Sequence, residues 1–477
     1  MEHKKWLRMD NASKIFPATM TATDTKVFRM SAAVRDQVDP DILQQALDET
    51  YDYFRLYHAV LRRGIFWYYL EDSEQRPQVQ LDDQPACAQI YHFDKRNLLF
   101  RVLYYRNRIH LEVFHALSDG TGALWFLDHL LYNYTIRRYP EIFKDQVLNY
   151  PGKGSQKQQF DDSAARYFGH EGDWLFSRPV RVAVNTVARV GKAVGKAALG
   201  VSGKARGAAG DHKESTRKKP KARVYHVRGT KTPDHRMRLV EADMPAAEVL
   251  RLAHAAGTTL TVYLTALFVD AVYRDAPRPK EVGTIAVSVP VNLRSYFKSS
   301  SARNFWSTLH VGYTYGQNGA EGDSIESICR SLDRQFKDQL TEEKLRKKLN
   351  QLRALEEILF FRLVIRPVKD LALKIANARR NRNLTLAMSN IGQVAFPAEV
   401  DPYIEQLYAL TSAARPHFVS ISHGDRLTIC FTSPFMETEI QRNFITTLTE
   451  KGVPVTVAVN RVSIEEMPEM KEGVGRG

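Results

Sequence analysis

Residues 26–135 alternate between two hydrophobic periods, one typical of strands and one typical of helices. The run VFRMSAAV, which begins at Val27, predicts a strand. A helix is predicted after it, opened by the start signal Asp39-Pro40 and continuing through ILQQALDETYDYF. The runs LLFRVLYYRN and RIHLEVFH are joined by only a few polar residues and therefore predict a hairpin.

The end of this hairpin is the most informative position in the chain. Ile109, Leu111 and Val113 alternate with other residues along its second strand, and His115 falls on their face. The chain then reads ALSDGTG and enters a stretch in which apolar residues recur every three or four positions. The pattern therefore predicts a strand that ends, turns sharply and starts a helix beside an imidazole.

A similar mixture of elements returns after Met237. The strand RLVEADM comes first, then the helices PAAEVLRLAHAAG and LTVYLTALFVDAVYR, the latter apolar almost all round and predicted to be central. The strands VGTIAVSVPVNLR and FWSTLHVGYTY follow, and two helical stretches over about residues 324–376 end near Pro367 or beyond. Four strands, in LTLAMSNIG, IEQLYALTSA, PHFVSISHG and DRLTICFTS, and a closing helix complete the chain. The mixture of strands and helices in both halves therefore predicts an α+β fold.

Positive charge is concentrated in one segment. The formal net charge is +14, and residues 178–231 hold 15 Lys or Arg against Asp211 and Glu214, a balance of +13. The segment is also rich in Gly and Ala and poor in large apolar residues. We take it as the boundary between an N-terminal subdomain, residues 1–177, and a C-terminal subdomain, residues 232–477.

Two interpretations of this basic segment stay open. Arg189, Lys192, Lys196 and Lys204 recur on one helical face, which favours an amphipathic helix that contacts an anionic membrane surface, an acyl carrier protein or the phosphates of coenzyme A. Its many glycines favour a flexible, solvated linker instead. Nucleic acid is not an expected partner, because the charges lack interleaved aromatic residues and no nucleic-acid motif accompanies them.

Composition changes the picture little. At 477 residues with 44% hydrophobic and 26% charged residues, the chain is long enough for two folded subdomains. Cys87, Cys329 and Cys430 have no metal-ligand or disulfide spacing. The N-terminus has no apolar export region, and the longest apolar windows fall short of the roughly 20 residues that cross a bilayer. We expect a cytoplasmic protein, with peripheral membrane contact through residues 178–231 as an alternative.

The segment from His115 to Gly120 is suited to general-base chemistry. An imidazole at a strand end titrates near neutral pH and can take a proton from an alcohol or amine that attacks a carbonyl. Asp119, four residues later, can hold the loop, and Gly120 and Gly122 are expected to supply backbone freedom in the turn. A hydrogen-bonded core histidine followed by an aspartate N-cap is the structural alternative.

Four segments, in this order, resemble the chloramphenicol acetyltransferase-like superfamily. They are FHALSDGTGALWFLDHLL with its His-x-x-x-Asp-Gly motif, GTTLTVYLTALFVDAV, VSVPVNLRSYF followed by Asn304-Phe305, and LAMSNIG. The resemblance implies two acetyltransferase-like subdomains, each with mixed, mostly antiparallel sheets and flanking helices, forming a V with a central tunnel. The superfamily includes condensation domains, polyketide-associated acyltransferases and alcohol acetyltransferases.

The resemblance also implies roles for individual residues. His115 would deprotonate the acceptor, and Asp119 would point away from it and pair with Arg294 to hold the motif loop. Asn390, beside Ser389, would line the tunnel and either donate a hydrogen bond to the oxyanion or position the acceptor. Simpler alternatives are a solvated strand-end charge for Arg294 and a turn residue for Asn390.

One departure narrows the predicted activity. Condensation domains usually place a second histidine directly before the catalytic one, and Phe114 stands there. We therefore expect an acyltransferase of the alcohol O-acetyltransferase type, which moves an acyl group from acyl-CoA or an acyl carrier protein to a hydroxyl, amine or lipid acceptor. No metal and no permanently bound cofactor are expected. The alternative is a non-catalytic condensation-like module that binds a carrier protein or lipid.

Overall fold

The computed structural model describes residues 6–10, 13–144, 223–278, 283–317, 322–357 and 364–463. Most of the basic segment, up to residue 222, lies outside the described residues, and so do Arg189, Lys192, Lys196 and Lys204, on which the amphipathic-helix interpretation rests. The division into residues 1–177, 178–231 and 232–477 stays a prediction.

Strands and helices are distributed over both halves of the chain. The described strands are β1 (Trp6–Arg8), β2 (Val27–Val34), β3 (Ala59–Arg63), β4 (Tyr68–Asp72), β5 (Gln80–Leu81), β6 (Phe100–Tyr105), β7 (Arg108–Phe114), β8 (Arg238–Pro245), β9 (Thr284–Asn292), β10 (Trp306–Thr314), β11 (Leu386–Val394), β12 (Ile404–Thr411), β13 (His417–His423), β14 (Arg426–Ser433) and β15 (Thr456–Val459). The described helices are α1 (Ile15–Thr19), α2 (Pro40–Tyr53), α3 (Gly120–Arg138), α4 (Pro140–Phe143), α5 (Ala246–Ala255), α6 (Leu260–Asp275), α7 (Ile325–Gln339), α8 (Glu342–Glu357), α9 (Arg366–Asn381) and α10 (Glu439–Glu450).

A five-stranded sheet carries the His-x-x-x-Asp-Gly segment. Its strand order is β12-β2-β7-β6-β5, and β6 and β7 form the predicted antiparallel hairpin. The turn of this hairpin uses Arg106 at φ 52°. Helix α2 begins as predicted, because the carboxylate of Asp39 accepts hydrogen bonds from the N–H groups of Asp41 and Ile42. The edge strand β12 comes from the C-terminal half, so this sheet contains strands from both halves of the chain.

A seven-stranded mixed sheet forms the second layer, in the order β10-β9-β11-β13-β14-β8-β15. Helix α6 packs on it and is buried along most of its length, as its apolar pattern predicted. One face of β10 and β9 enters this core, and the alternate residues of both strands remain partly exposed. The sheets and their flanking helices confirm the predicted α+β class, while the V and the tunnel stay predictions.

One element prediction was wrong in detail. Residues 324–376 were expected to form two helical stretches that end near Pro367 or beyond, but three described helices, α7, α8 and α9, cover this region. Pro367 lies in the first turn of α9 rather than at a helix end. A proline in the first turn removes an N–H that would have no partner inside the helix, so it starts a helix without cost.

In the described part of the chain, no single helix is long and apolar enough to cross a membrane. Helices α5 and α6 reach that length and apolar composition only when taken together, and the chain bends by 83° at the break between them.

Candidate active site

His115 lies directly after β7, where the strand leaves the five-stranded sheet. Its backbone N–H donates to the carbonyl of Lys26 at 2.8 Å, which extends the pairing of β7 with β2 by one residue. The turn that follows is closed by the N–H of Leu117 donating to the carbonyl of Phe114. Both faces of β7 are buried, whereas His115 itself is only half-buried. The strand therefore places the imidazole at the point where the chain leaves the sheet.

Asn304 fixes the tautomer of this imidazole. Its Nδ2 donates to the carbonyl of His115 and to Oγ of Ser13, both at 2.9 Å. Ser13 in turn donates its hydroxyl hydrogen to Oδ1 of Asp10, so its oxygen acts as the acceptor for Asn304. Oδ1 of Asn304 therefore faces Nδ1 of His115 at 3.0 Å and also accepts from Nε1 of Trp306. Because an amide oxygen only accepts, Nδ1 must carry the proton and the neutral ring has its lone pair on Nε2.

Aromatic rings surround the imidazole on several sides. Phe16 stacks on His115 with ring centroids 4.4 Å apart, Phe28 meets it edge-on at 5.1 Å, and Trp306 lies at 5.8 Å. Burial lowers the pKa of His115 below its ordinary value of 6.5, and the negative charge of Asp119 only partly opposes this shift. The imidazole is therefore neutral at physiological pH, which is the form that accepts a proton.

Asp119 points away from the imidazole and joins three chain segments. Its Oδ1 accepts from the N–H of Gly122 at 3.0 Å, which caps α3. Its Oδ2 accepts from the N–H of Phe305 at 2.8 Å and from the guanidinium of Arg294 at 2.7 Å. The N-cap alternative and the ion pair are thus both present in one carboxylate.

The side chain of Arg294 is buried and forms hydrogen bonds with the loop around it. Besides Asp119, its guanidinium donates to the carbonyls of Ser301 and Arg303, each at 2.7 Å, and to Oδ1 of Asn292 at 3.3 Å. Its side chain is only 8% exposed, which contradicts the alternative of a solvated strand-end charge. Arg294 therefore fixes the segment that carries Asn304 toward His115.

The expected role of Gly120 was wrong. Neither Gly120 nor Gly122 has a positive φ, so the turn does not require glycine for its backbone conformation. Gly122 is required for space, because a Cβ there would lie 2.1 Å from the carbonyl oxygen of Ala302 and 2.3 Å from Oγ of Ser118. A Cβ on Gly120 would meet only the ends of two flexible side chains, the methyl group of Met30 at 3.4 Å and Cδ1 of Ile391 at 3.8 Å.

This contrast predicts different effects for two matched substitutions in the first turn of α3. Gly122→Ala is expected to lower the free energy of unfolding by roughly 1–3 kcal/mol, because it forces a methyl group against fixed backbone. Gly120→Ala is expected to be nearly neutral or slightly stabilising, since alanine is the better helix former. Urea denaturation of both variants measures the difference, and equal losses would contradict this account.

Asn390 lies in an irregular part of β11. Its Nδ2 donates to Oγ1 of Thr261 at 2.8 Å, and its Oδ1 accepts from the N–H of Gly392 and from Oγ of Ser420. The register of β11 against β13 shifts between Asn390 and Gly392, whose φ is 87°. These contacts favour the alternative of a turn asparagine that stabilises a bulge. Among the described residues, no hydrogen bond links Asn390 to His115.

Ser389 lies on the open face of the same strand. Its Oγ is 3.4 Å from Nε2 of His417 on the neighbouring strand β13, and both residues are half-buried. Burial and the nearby charge of Arg415 lower the pKa of His417 to about 3, so this ring is also neutral. The structure therefore does not join Ser389 to the group of residues around His115.

Sequence patterns missed most of the residues that hold His115. Asn304 was recognised as part of a motif without a role, and the contacts of Phe16 and Trp306 had no signal because they join segments far apart in the chain. Phe114, which stands where condensation domains usually have a second histidine, is fully buried and stacks on Tyr91. In the described part of the chain, no cluster of three or more possible metal ligands is present.

Comparisons with known proteins show the fold. No family model and no curated protein matches the chain. Among solved structures, polyketide synthase associated protein 5 from Mycobacterium tuberculosis is 12% identical, with a TM-score of 0.56 over 94% of this chain and 99% of that chain. TRI3 trichothecene 15-O-acetyltransferase from Fusarium sporotrichioides is 10% identical, with a TM-score of 0.57 over 94% of each chain.

Condensation domains give the same result. The first condensation domain of the calcium-dependent antibiotic synthetase, in complex with a substrate analogue, is 12% identical, with a TM-score of 0.57 over 94% of this chain and 96% of that chain. The chain therefore has the fold of the chloramphenicol acetyltransferase-like and condensation-domain proteins over nearly its whole length.

Proposed function

We propose that this chain, whose fold is that of the chloramphenicol acetyltransferase-like proteins, transfers an acyl group from a thioester to a hydroxyl or amine acceptor. Acyl-transfer chemistry of this general kind is supported by structural neighbours that include an acetyltransferase and condensation domains. The donor is acyl-CoA or an acyl group on a carrier protein, and no metal or permanently bound cofactor takes part in the proposed reaction.

The orientation of His115 is the observation that carries this proposal. Its Nδ1 is committed to Asn304, while Nε2 has no hydrogen-bond partner among the described residues. The residue as a whole is half-buried. A neutral imidazole whose Nε2 lone pair is not engaged by another group is the form that a general base requires.

The proposed reaction uses one proton acceptor throughout. Nε2 of His115 takes the proton from the acceptor O–H or N–H as the acceptor's oxygen or nitrogen forms a bond to the thioester carbonyl carbon. The carbon–sulfur bond of the tetrahedral intermediate then breaks, and the leaving thiolate takes the proton back from the imidazolium. Asp119 has no chemical step in this scheme, because both of its oxygens accept hydrogen bonds from the loop.

The direct test is a screen for thiol release. Purified protein is incubated with a panel of acyl-CoA thioesters and with acylated carrier protein, against pooled alcohols, amines and lipid extracts. Free thiol is measured by colorimetry and acylated product by mass spectrometry. Acceptor-dependent thiol release supports acyl transfer. Binding of a donor without release of thiol or formation of product would favour the non-catalytic module instead.

The pH dependence of transfer provides a second prediction. Because the pKa of His115 is lowered from 6.5, kcat/KM is expected to stay constant from neutral pH to below pH 6.5 and to fall only at lower pH. Asn304→Asp places a negative charge beside Nδ1, which stabilises the imidazolium and is expected to move the acid limb to higher pH. Identical profiles for the two proteins would contradict the assigned contact.

A further inference from the structure

Four basic side chains converge on the open face of the seven-stranded sheet. Nζ of Lys348 on α8 donates to the carbonyl of Thr308, and the guanidinium of Arg380 on α9 donates to Oγ1 of the same residue. The guanidinium of Arg380 also lies 3.0 Å from Nε2 of His310 on β10. Arg415, between β12 and β13, is close enough for its charge to lower the pKa of His310 together with Arg380 and Lys348.

The pairing of four strands places a row of residues beneath these basic side chains. His310 pairs with Ser288, Ser288 pairs with Ala387, and Ala387 pairs with His417, so these four residues form one row across β10, β9, β11 and β13. Ser288 and Ala387 are short, while histidines stand at both ends of the row. We name the surface bounded by Lys348, Arg380, Arg415, His310 and this row the cationic recess.

The positive charges of the cationic recess have no matching carboxylates. In the described residues, no Asp or Glu forms an ion pair with Lys348, Arg380 or Arg415. The carboxylate of Asp24 acts on Arg415 from a distance, but it is bound to Lys26. Partial burial of the charged groups lowers the pKa of Lys348, Arg380 and Arg415, as expected for cations held together without a counter-charge.

Solvent nevertheless reaches these cations, because Arg380 is exposed and Lys348 and Arg415 are half-buried. His310 is also exposed, and its ring is neutral because its pKa is lowered to about 4. The buried Arg29, by contrast, binds both Asp82 and Glu112. The charge of Arg29 is therefore neutralised internally, whereas the cationic recess leaves its positive charge available to a ligand.

The cationic recess lies on the same sheet face as the imidazole. Trp306, Thr308 and His310 alternate onto this face of β10, and Trp306 contacts the ring of His115. Trp306 and His310 are four positions apart on an extended strand, which is about 13 Å at the usual rise. A single extended substrate can therefore reach both places.

We propose that the cationic recess binds a phosphate-class oxyanion that belongs to one of the substrates. Arginine and lysine side chains recognise such groups through several charge-assisted hydrogen bonds. The anion could be carried by the thioester donor, as in coenzyme A or phosphopantetheine, or by a phosphorylated acceptor. The binding of the anion is inferred from the residues of the cationic recess alone. That the anion belongs to a substrate of acyl transfer rests on the proposed function.

Calorimetric titration of the full chain with inorganic pyrophosphate, coenzyme A and pantetheine tests this proposal. Lys348→Gln and Arg380→Gln are each expected to weaken pyrophosphate binding roughly tenfold, by loss of one charge-assisted contact. Lys347→Gln and Arg379→Gln remove the same charge from adjacent exposed positions on the same helices and should leave the affinity unchanged. Melting temperatures confirm that all four variants fold.

The three probes distinguish the sources of the anion. If Lys348→Gln and Arg380→Gln also weaken coenzyme A binding but not pantetheine binding, the donor carries the anion. If they weaken only pyrophosphate binding, the acceptor carries it. Equal pyrophosphate affinity in all variants, or no binding to the unmodified protein, overturns the proposal. Because no turnover is required, an inactive protein that binds pyrophosphate through the recess would refute acyl transfer and keep the anion site.

Discussion

Replacing His115 by alanine is expected to lower the rate of acyl transfer by a factor of roughly 10²–10⁴, the usual contribution of a general base. The variant should keep its fold, because His115 is only half-buried and its backbone contacts with Lys26 do not involve the ring. The measurement is kcat/KM from thiol release, with the donor and acceptor that the screen identifies. His115→Gln, which keeps the size and polarity but not the basicity, should be similarly inactive.

The matched control is an exposed histidine outside the site. His254→Ala, on helix α5, removes an imidazole that is exposed to solvent and should leave kcat/KM unchanged. Circular dichroism and melting temperature show whether the His115 variants are folded. Full activity in folded His115→Ala would remove the basis of the proposed mechanism.

Replacing Arg294 by methionine is expected to lower the free energy of unfolding by roughly 3–5 kcal/mol, the cost of leaving one partner of a buried ion pair unpaired. The carboxylate of Asp119 would remain buried with only two backbone N–H donors. Four further hydrogen bonds to the loop carbonyls and Asn292 would also be lost. Urea denaturation followed by tryptophan fluorescence measures the change.

An exposed ion pair offers the matched control. Arg251 and Glu248 on α5 pair at 2.9 Å, with side chains 61% and 42% exposed, so Arg251→Met should change the free energy of unfolding by less than about 1 kcal/mol. The double variant Asp119→Leu with Arg294→Met should recover part of the loss, because it leaves no unpaired buried charge. A loss as small in Arg294→Met as in Arg251→Met would contradict the assigned role.

Local patterns were sufficient to predict the elements around His115. The alternation along β7, the polar turn after β6 and the Asp39-Pro40 helix start each depend on neighbouring residues, and the structure contains all three. The same holds for α6, whose apolar residues all round predicted burial. The four-segment resemblance then led to the fold, which the structural neighbours confirm.

Contacts between distant segments could not be predicted in this way. Strand β12 pairs with β2 across 370 or more residues, and a strand's own periodicity does not specify its partner. Asn304 lies 189 residues from His115, and its role depends on the Arg294 loop being held by Asp119. The need for glycine at position 122 arises from the carbonyl of Ala302, which only the folded chain brings near.

The hydrogen bond between Nδ1 of His115 and Oδ1 of Asn304 connects the two halves of the chain. The strand that carries the imidazole belongs to the first half, and the amide that decides which ring nitrogen holds the hydrogen belongs to the second. A rearrangement that withdrew the amide would leave the ring free to exchange tautomers, and much of its population would then present N–H where a lone pair is needed. Readiness to accept a proton is therefore coupled to how closely the two halves are docked.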